Sequence, residues 1–286
     1  MQAISDYVRN LRYLPPAPRV VPELMRLINQ PDADSSRIVN LISYDPSLTT
    51  NVLRISNSAY FGAATPISNL QDAVTRLGFQ QIYQLVAAAT GAKILGASQE
   101  GYGMEQGDLW KHSVTAAAAA QLIARQRNEN ENVVFTATLL HDIGKTILSD
   151  SLKGAYSKIV AETEGNGHSL LEAETKLFGI NHAELGGQLL QHWNFSPDII
   201  AAVSFHHTPK NARVYQRLAS CVYMGNMVAC FMGHGYGHVA FAQRARTEVL
   251  ADLEMTERSV PQLMMDTFEQ MQLIEAFFSS AVPSAA

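Results

Sequence analysis

Two pairs of polar residues close apolar stretches of this chain and could bind a metal ion. His141-Asp142 follows residues 135–140, and His206-His207 follows residues 199–205. Adjacent side chains of a helix diverge by about 100°, so neither pair chelates a metal from one helix face. Adjacent residues at a helix end can still converge on an ion beyond that end. Imidazole and carboxylate ligands favour Fe, Mn, Ni or Zn over Ca or Mg, and a carboxylate can bridge two ions.

Two further histidines support this interpretation. His112 and His182 each open or enter a helical segment rich in alanine or glycine. A lone His-Asp pair is more often a capping aspartate beside a partly buried histidine than a metal site. Two pairs together with His112 and His182 reverse that preference, and we expect the six side chains to converge on one pocket. The remaining histidines are interpreted as surface or hydrogen-bonded residues, namely His168, His192, His234 and His238.

The segments that must position these residues have helical patterns almost throughout. Asp34 and Asn69 are expected to cap helices over residues 35–43 and 70–77, and Gly78 is expected to end the second of these. Longer helices are predicted over residues 109–126, 132–143, 182–193, 197–206 and 212–232. The sequence therefore predicts an all-α fold.

Composition excludes several classes of protein. The 286 residues are 47% hydrophobic and 16% charged, as in a globular chain with a sizeable core. A net charge of −5 argues against a nucleic-acid-binding protein, so no direct nucleic-acid partner is expected. The most apolar stretches, 85–95 and 114–124, are too short to span a membrane, and two cysteines suit a reduced compartment. We expect a cytoplasmic protein with no membrane association.

Residues 97–107 (ASQEGYGMEQG) contain three glycines and no apolar period, which is typical of a domain boundary. The sequence thus predicts two domains, residues 1–96 and residues 97–286.

Five motifs resemble a known family. Residues 139–145 (LLHDIGK) are similar to the signature of the HD superfamily of helical metal-dependent phosphohydrolases. Four more segments match the HDOD domain in order and spacing, namely 14–18 (LPPAP), 42–48 (ISYDPSL), 57–62 (NSAYFG) and 73–78 (AVTRLG). The resemblance covers about residues 5–240. It implies an N-terminal helical bundle packed on an HD-like bundle, and a regulatory output module of bacterial signalling.

The resemblance also implies a set of metal ligands for one or two ions: His112, His141, Asp142, His182, His206 and His207. Asn226 stands where the related HD-GYP phosphodiesterases have an aspartate. A neutral carbonyl there weakens the site formed with His112, His141 and Asp142. The site formed by Asp142, His182, His206 and His207 keeps its full set.

Lys145 has two open interpretations. Either it neutralises a phosphate, as in HD enzymes, or its positive charge interacts favourably with the helix dipole at a helix C-terminus.

The function implied by the resemblance is a non-catalytic or weakly active regulatory module. Its expected partner is a signalling protein such as a receiver domain or kinase, and a nucleotide or phosphoester is a further candidate ligand. The alternative is a metal-dependent phosphohydrolase, either a phosphodiesterase or a nucleotide phosphatase. Cyclic di-GMP is not expected as a substrate, because residues 208–210 (TPK) replace the stretch that follows the His-His pair in HD-GYP enzymes.

Overall fold

A computed structural model describes residues 20–30, 34–44, 46–57, 67–151, 156–165, 168–235 and 247–279. These residues form helices joined by short loops, and the described part of the chain contains no strand, only an isolated bridge between Gln99 and Met104. The prediction of an all-α fold is confirmed. Among the described residues, no helix has the length and apolar character needed to cross a membrane. Motif residues 14–18 and 58–62, and His238, lie outside the described residues.

The chain divides into two compact units. One contains Gly91–Thr267, and the other contains Pro18–Thr90 and Phe268–Ala286. The domain boundary expected between residues 96 and 97 stays a prediction.

The smaller unit begins with short helices whose ends follow local sequence signals. They are α1 (Val20–Ile28), α2 (Ser35–Ser43), α3 (Pro46–Ser56) and the first part of α4 (Leu70–Leu95). The Asp34 carboxylate accepts a hydrogen bond from the backbone of Ser36 at 2.8 Å, and Asn69 Oδ1 accepts one from Asp72 at 2.8 Å. Gly78 has φ +75° and interrupts α4. Both caps and the glycine break therefore agree with the sequence.

The larger unit holds the histidines. Its helices are α5 (Asp108–Gln126), α6 (Glu131–Leu139), α7 (Gly144–Ser151), α8 (Tyr156–Val160), α9 (Leu170–Phe178), α10 (His182–His192), α11 (Pro197–Ser204), α12 (Gln216–Ala229) and α13 (Thr247–Asp252), and it includes the part of α14 (Val260–Ser279) that precedes Phe268. The alanines of α5 are buried, and α5 packs against α12. A side chain on Gly225 would overlap the carbonyl oxygen of Ala116, so glycine permits this close approach.

Three predicted helix limits are wrong, and two of these errors concern the site. The helix predicted over 132–143 ends at Leu139, and the one predicted over 197–206 ends at Ser204. The helix expected from residue 212 begins at Gln216, after a 3₁₀ segment. Backbone bonds from His141 to Thr138 and from Ile143 to Leu140 form tight turns beyond α6. These turns take His141-Asp142 out of the helix that precedes it, and a backbone bond from Thr208 to Phe205 forms a turn at His206-His207.

Candidate metal centre

The His141-Asp142 pair lies in the turn between α6 and α7. There the Nε2 atom of His141 is 3.4 Å from Oδ2 of Asp142, so the two adjacent side chains converge beyond the helix end. Gly144 begins α7, and a side chain at this position would overlap the carbonyl oxygen of His182. Glycine in this motif therefore lets α7 approach the start of α10, which brings Asp142 to His182.

His112 completes a first group of ligand atoms on one side of Asp142. It lies in the second turn of α5 and is buried. Its Nε2 atom is 3.3 Å from Nε2 of His141 and 3.6 Å from Oδ2 of Asp142. The three residues form a cluster with the size of a metal site, which we call the first group.

The second group lies on the other side of Asp142 and consists of His182, His206 and His207. Nε2 of His182 is 3.2 Å from Oδ1 of Asp142 and 3.0 Å from Nε2 of His207. Nε2 of His206 is 3.8 Å from the same Oδ1 atom. The structure thus brings all six side chains together, and Asp142 directs one carboxylate oxygen toward each group.

Four of the imidazoles are held in one orientation by acceptors on their Nδ1 side. Three of the acceptors are backbone carbonyl oxygens: that of His234 lies 2.9 Å from His112, that of Thr138 lies 2.6 Å from His141, and that of Val203 lies 2.7 Å from His206. The fourth acceptor is a carboxylate oxygen of Glu174, 2.7 Å from His182. A carbonyl or carboxylate oxygen only accepts, so Nδ1 carries the hydrogen in each case. In a neutral ring, Nε2 then presents a lone pair to the centre.

These lone pairs make a centre that hydrogen bonds do not satisfy. When both rings are neutral and carry their hydrogen on Nδ1, Nε2 of His112 and Nε2 of His141 present lone pairs to each other at 3.3 Å. Within the part of the chain that is described, His206 Nε2 and Asp142 Oδ1 are buried without a hydrogen-bond partner. Such groups cost free energy when buried unless something compensates. A divalent cation would satisfy all of these atoms together, so the residues present fit a metal ion.

The electrostatics of the centre favour the neutral form of four imidazoles around an ionised carboxylate. Burial lowers the pKa of His112 to about 3, against the opposing effect of Asp142. Burial likewise lowers the pKa values of His141, His206 and His207. Burial alone would raise the pKa of Asp142, but the proximity of His141, the charge of the Lys145 ammonium and a contact with His182 hold it well below its usual range. Neutral imidazole and carboxylate are the forms that bind transition metals.

Lys145 is the second residue of α7 and lies at a helix start, so the interpretation that it suits the dipole at a helix C-terminus is wrong. The ammonium Nζ is 2.6 Å from Oδ2 of Asp142, and the residue is 4% exposed. Lys145 therefore neutralises the carboxylate on the side of the first group.

The family of the chain follows from a match over most of its length. The HDOD domain family model matches residues 14–209. The chain belongs to the HDOD family.

Three similar proteins place this HDOD protein among its relatives. An uncharacterized protein of Treponema pallidum (strain Nichols) is 27% identical over 279 residues. The match covers 94% of this chain and 52% of that protein, so the chain spans about half the length of this relative. The crystal structure of an HDOD domain protein of Geobacter sulfurreducens matches with a TM-score of 0.71 and 22% identity, covering 97% of this chain and 93% of that one. A candidate phosphohydrolase of Shewanella amazonensis SB2B matches with a TM-score of 0.69 and 23% identity, covering 93% and 94%. The two solved structures share the fold.

Asn226 lies in α12 of this HDOD protein and is 6% exposed. Its neighbour Gly225 packs on Ala116, one turn along α5 from His112. Oδ1 of Asn226 is 3.7 Å from Sγ of Cys230, which donates to it. The amide is neutral where an anionic ligand is expected, and its role as a weak ligand stays a prediction.

Sequence reasoning missed Glu174 and Tyr102. Glu174 lies in α9 and is completely buried; it accepts a hydrogen bond from the Nδ1 atom of His182 and another from the hydroxyl of Tyr102. A signal for Glu174 was present, because this acidic residue shares one helical face with Leu170 and Leu177. Glu184, an acidic residue of the helix that carries His182, is exposed.

Proposed function

We propose that this HDOD protein is a cytoplasmic regulatory module that holds one divalent transition metal and has little or no hydrolytic activity. The observation that carries the proposal is the convergence of imidazole lone pairs on both oxygens of the buried Asp142 carboxylate, with no hydrogen bond to satisfy Asp142 Oδ1 or His206 Nε2. Fe, Mn, Ni and Zn suit this ligand set.

The second group is the better site for the ion. It combines His182, His206 and His207 with Oδ1 of Asp142, which carries the negative charge. On the side of the first group, Oδ2 of Asp142 is in contact with the Lys145 ammonium, which repels a second cation. The neutral Asn226 adds no negative charge to offset that repulsion. We therefore expect one firmly held ion and a weak or empty second position.

A single ion argues against efficient hydrolysis. In two-metal hydrolysis one ion generates the nucleophile and the other stabilises the leaving oxygen, so both positions must be filled. Regulation then depends on a signalling protein partner, such as a receiver domain or kinase, and a nucleotide or phosphoester is a further candidate ligand. The resemblance of the chain to regulatory HDOD modules supports this part of the proposal.

A metal-dependent phosphohydrolase is the second candidate function. It is favoured by the six ligand-type side chains that converge in the structure and by the fold shared with the Shewanella amazonensis protein. In that case Lys145 would leave Asp142 and contact a substrate phosphate.

Elemental analysis of the purified protein, combined with hydrolysis assays on a panel of phosphoesters, separates the two functions. We expect about one metal ion per chain and very low turnover. Asn226→Asp should raise the metal content toward two ions, whereas Asn211→Asp, which adds the same charge at an exposed position, should not. Two tightly bound ions with rapid turnover in the unmodified protein would refute the regulatory proposal and support the enzyme.

A further inference from the structure

His182 differs from His112, His141 and His206 in the acceptor that holds it. Backbone carbonyl oxygens hold the Nδ1 atoms of His112, His141 and His206. For His182 the acceptor is the carboxylate of Glu174, at 2.7 Å. A carboxylate behind an imidazole fixes its tautomer and makes the opposite nitrogen a stronger metal ligand.

A single oxygen of Glu174 holds both the main chain and the side chain of His182. Oε2 accepts the backbone N–H of His182 at 2.8 Å as well as its Nδ1–H. His182 is the first residue of α10, where the backbone N–H has no partner within the helix. The same oxygen therefore fixes the start of the helix and the direction of the ring.

Tyr102 holds the other oxygen of this carboxylate. Its buried hydroxyl donates to Oε1 of Glu174 at 2.8 Å, which leaves Oε2 for His182. Tyr102 belongs to the glycine-rich segment 97–107, and that segment is anchored by a 3.1 Å hydrogen bond from the backbone of Gly101 to Ser149 Oγ. The ring of Tyr102 also lies 6.0 Å from Nζ of Lys145. Segment 97–107 thus forms part of the wall of the centre.

We propose that Glu174 and Tyr102 are positioning residues for His182, Tyr102 orienting the Glu174 carboxylate and that carboxylate directing Nε2 of His182 at a metal held by the second group. This inference rests on the metal site proposed above. It gives the segment 97–107 a direct influence on metal affinity, because any displacement of Tyr102 changes the partner of Glu174 and hence the orientation of His182.

The test measures Co²⁺ binding by competition with a chelator and the visible absorption spectrum of the Co²⁺-loaded protein. Glu174→Gln keeps one acceptor oxygen for the backbone of His182, but it removes the charge and replaces the other acceptor oxygen by an NH2 donor. We expect it to weaken Co²⁺ binding about 10- to 100-fold and to shift the spectrum, as is typical for partners of metal ligands. Tyr102→Phe should act in the same direction with a smaller loss.

Two matched controls separate positioning from general effects. Glu184→Gln removes an exposed carboxylate from the helix that carries His182, and Tyr83→Phe removes a buried hydroxyl in the smaller unit. Neither should change Co²⁺ affinity or the spectrum. If Glu174→Gln lowers the melting temperature but leaves both unchanged, Glu174 only caps α10 and the proposal is refuted.

The ¹⁵N chemical shifts of His182 in metal-free protein distinguish this inference from the metal proposal itself. If the unmodified protein binds no Co²⁺, the metal proposal fails, and the ¹⁵N chemical shifts alone then test whether Glu174 orients the ring of His182. A protonated Nδ1 in the unmodified protein, replaced by mixed tautomers in Glu174→Gln, supports positioning. Mixed tautomers in both proteins overturn it. If Glu174→Gln does not fold, Tyr102→Phe is compared with Tyr83→Phe in the same way.

Discussion

The chemistry of the centre is set at the scale of single nitrogen and oxygen atoms. Acceptors on the Nδ1 side leave the Nε2 lone pairs directed inward, and the buried Asp142 carboxylate lies between two groups of them. In the metal-free protein, burial opposes protonation of His182, but the Glu174 carboxylate outweighs it and the pKa of His182 is raised. The centre thus attracts a positive charge, either a proton or a metal ion.

Metal-free protein should lose stability as the pH falls below about 6.5, the pKa of an unfolded histidine. The pKa of His112, at about 3, and the lowered pKa values of His141, His206 and His207 mean that the unfolded chain binds more protons in this range. Each such histidine contributes about 1.4 kcal/mol per pH unit. His182 contributes in the opposite direction but at higher pH, because its raised pKa gives stability that is full below pH 6.5 and lost as the pH rises through that pKa.

Urea unfolding of chelator-treated protein between pH 8 and pH 4 measures this dependence. The lowered pKa of Asp142 adds a loss in the same direction at the acidic end of the range. His192→Gln, at an exposed position, should leave the profile unchanged. A flat profile from pH 7 to pH 4 would contradict the neutral state of these four histidines.

Lys145→Met should destabilise metal-free protein and increase metal binding. Removing one partner of a buried ion pair costs about 3–5 kcal/mol, because the Asp142 carboxylate loses its 2.6 Å contact. A divalent ion can replace the missing charge, so the loss should shrink when metal is present. Calorimetric melting with and without Zn²⁺ measures both effects.

Lys176→Met is the matched control for Lys145→Met. Lys176 pairs with Glu162 at 2.9 Å but is about half exposed, so its removal should cost less than about 1 kcal/mol. Equal losses for the two variants, or a Lys145→Met protein that binds no more metal, would show that the Lys145 ammonium does not compete with a cation.

At the scale of helices, close approaches that require glycine bring the ligand-bearing ends together. Gly144 allows α7 to contact the start of α10, and Gly225 allows α12 to pack on α5. The short turns after α6 and α11 place His141-Asp142 and His206-His207 beyond the helix ends. The geometry of the centre is therefore a property of helix ends and of helix spacing.

Gly144→Ala should disrupt the centre through the backbone. Its new Cβ would overlap the carbonyl oxygen of His182, which cannot move without shifting α10. We expect a loss of about 1–3 kcal/mol in stability and a reduced metal content. Gly165→Ala is the control, because nothing lies within 4 Å of a Cβ built there. Unchanged metal content in a folded Gly144→Ala protein would show that this contact does not position Asp142.

At the scale of the whole molecule, a metal ion bound only by the folded state couples the centre to global stability. The ligands lie on α5, α10 and the turns after α6 and α11, all within the unit that contains Gly91–Thr267. Unfolding that unit separates the ligands and releases the ion.

Removal of the metal by a chelator should therefore lower the melting temperature. At a free metal concentration of 100 times Kd, the bound ion adds about 2.7 kcal/mol to the free energy of unfolding. His182→Ala removes a ligand of the second group, so this metal-dependent increment should disappear. Calorimetry of both proteins with Zn²⁺ and with chelator measures the difference. Identical melting of the unmodified protein under the two conditions would indicate a centre that no longer binds metal.

Much of the fold and the identity of the six converging residues were predictable from the sequence. The caps at Asp34 and Asn69 involve hydrogen bonds that span only two or three residues, so local sequence specifies them. The histidine pairs were recognisable because each follows an apolar segment directly and consists of residue types that bind metals. Whether the six residues bind metal stays a prediction, whereas their proximity is shown by the structure.

Only the tertiary structure revealed the residues that orient a ligand through hydrogen bonds on the side facing away from the centre. Tyr102 and Glu174 are 72 positions apart, and no local pattern indicates that the hydroxyl of one meets the carboxylate of the other. Similarly, the contact of Lys145 with Asp142 depends on the turn that follows Leu139. The sequence periodicity predicts a continuous helix there. Local propensities determine where helices begin and cap, but the partner of a buried polar atom is decided by packing between distant segments, because each such atom must be satisfied within the folded interior.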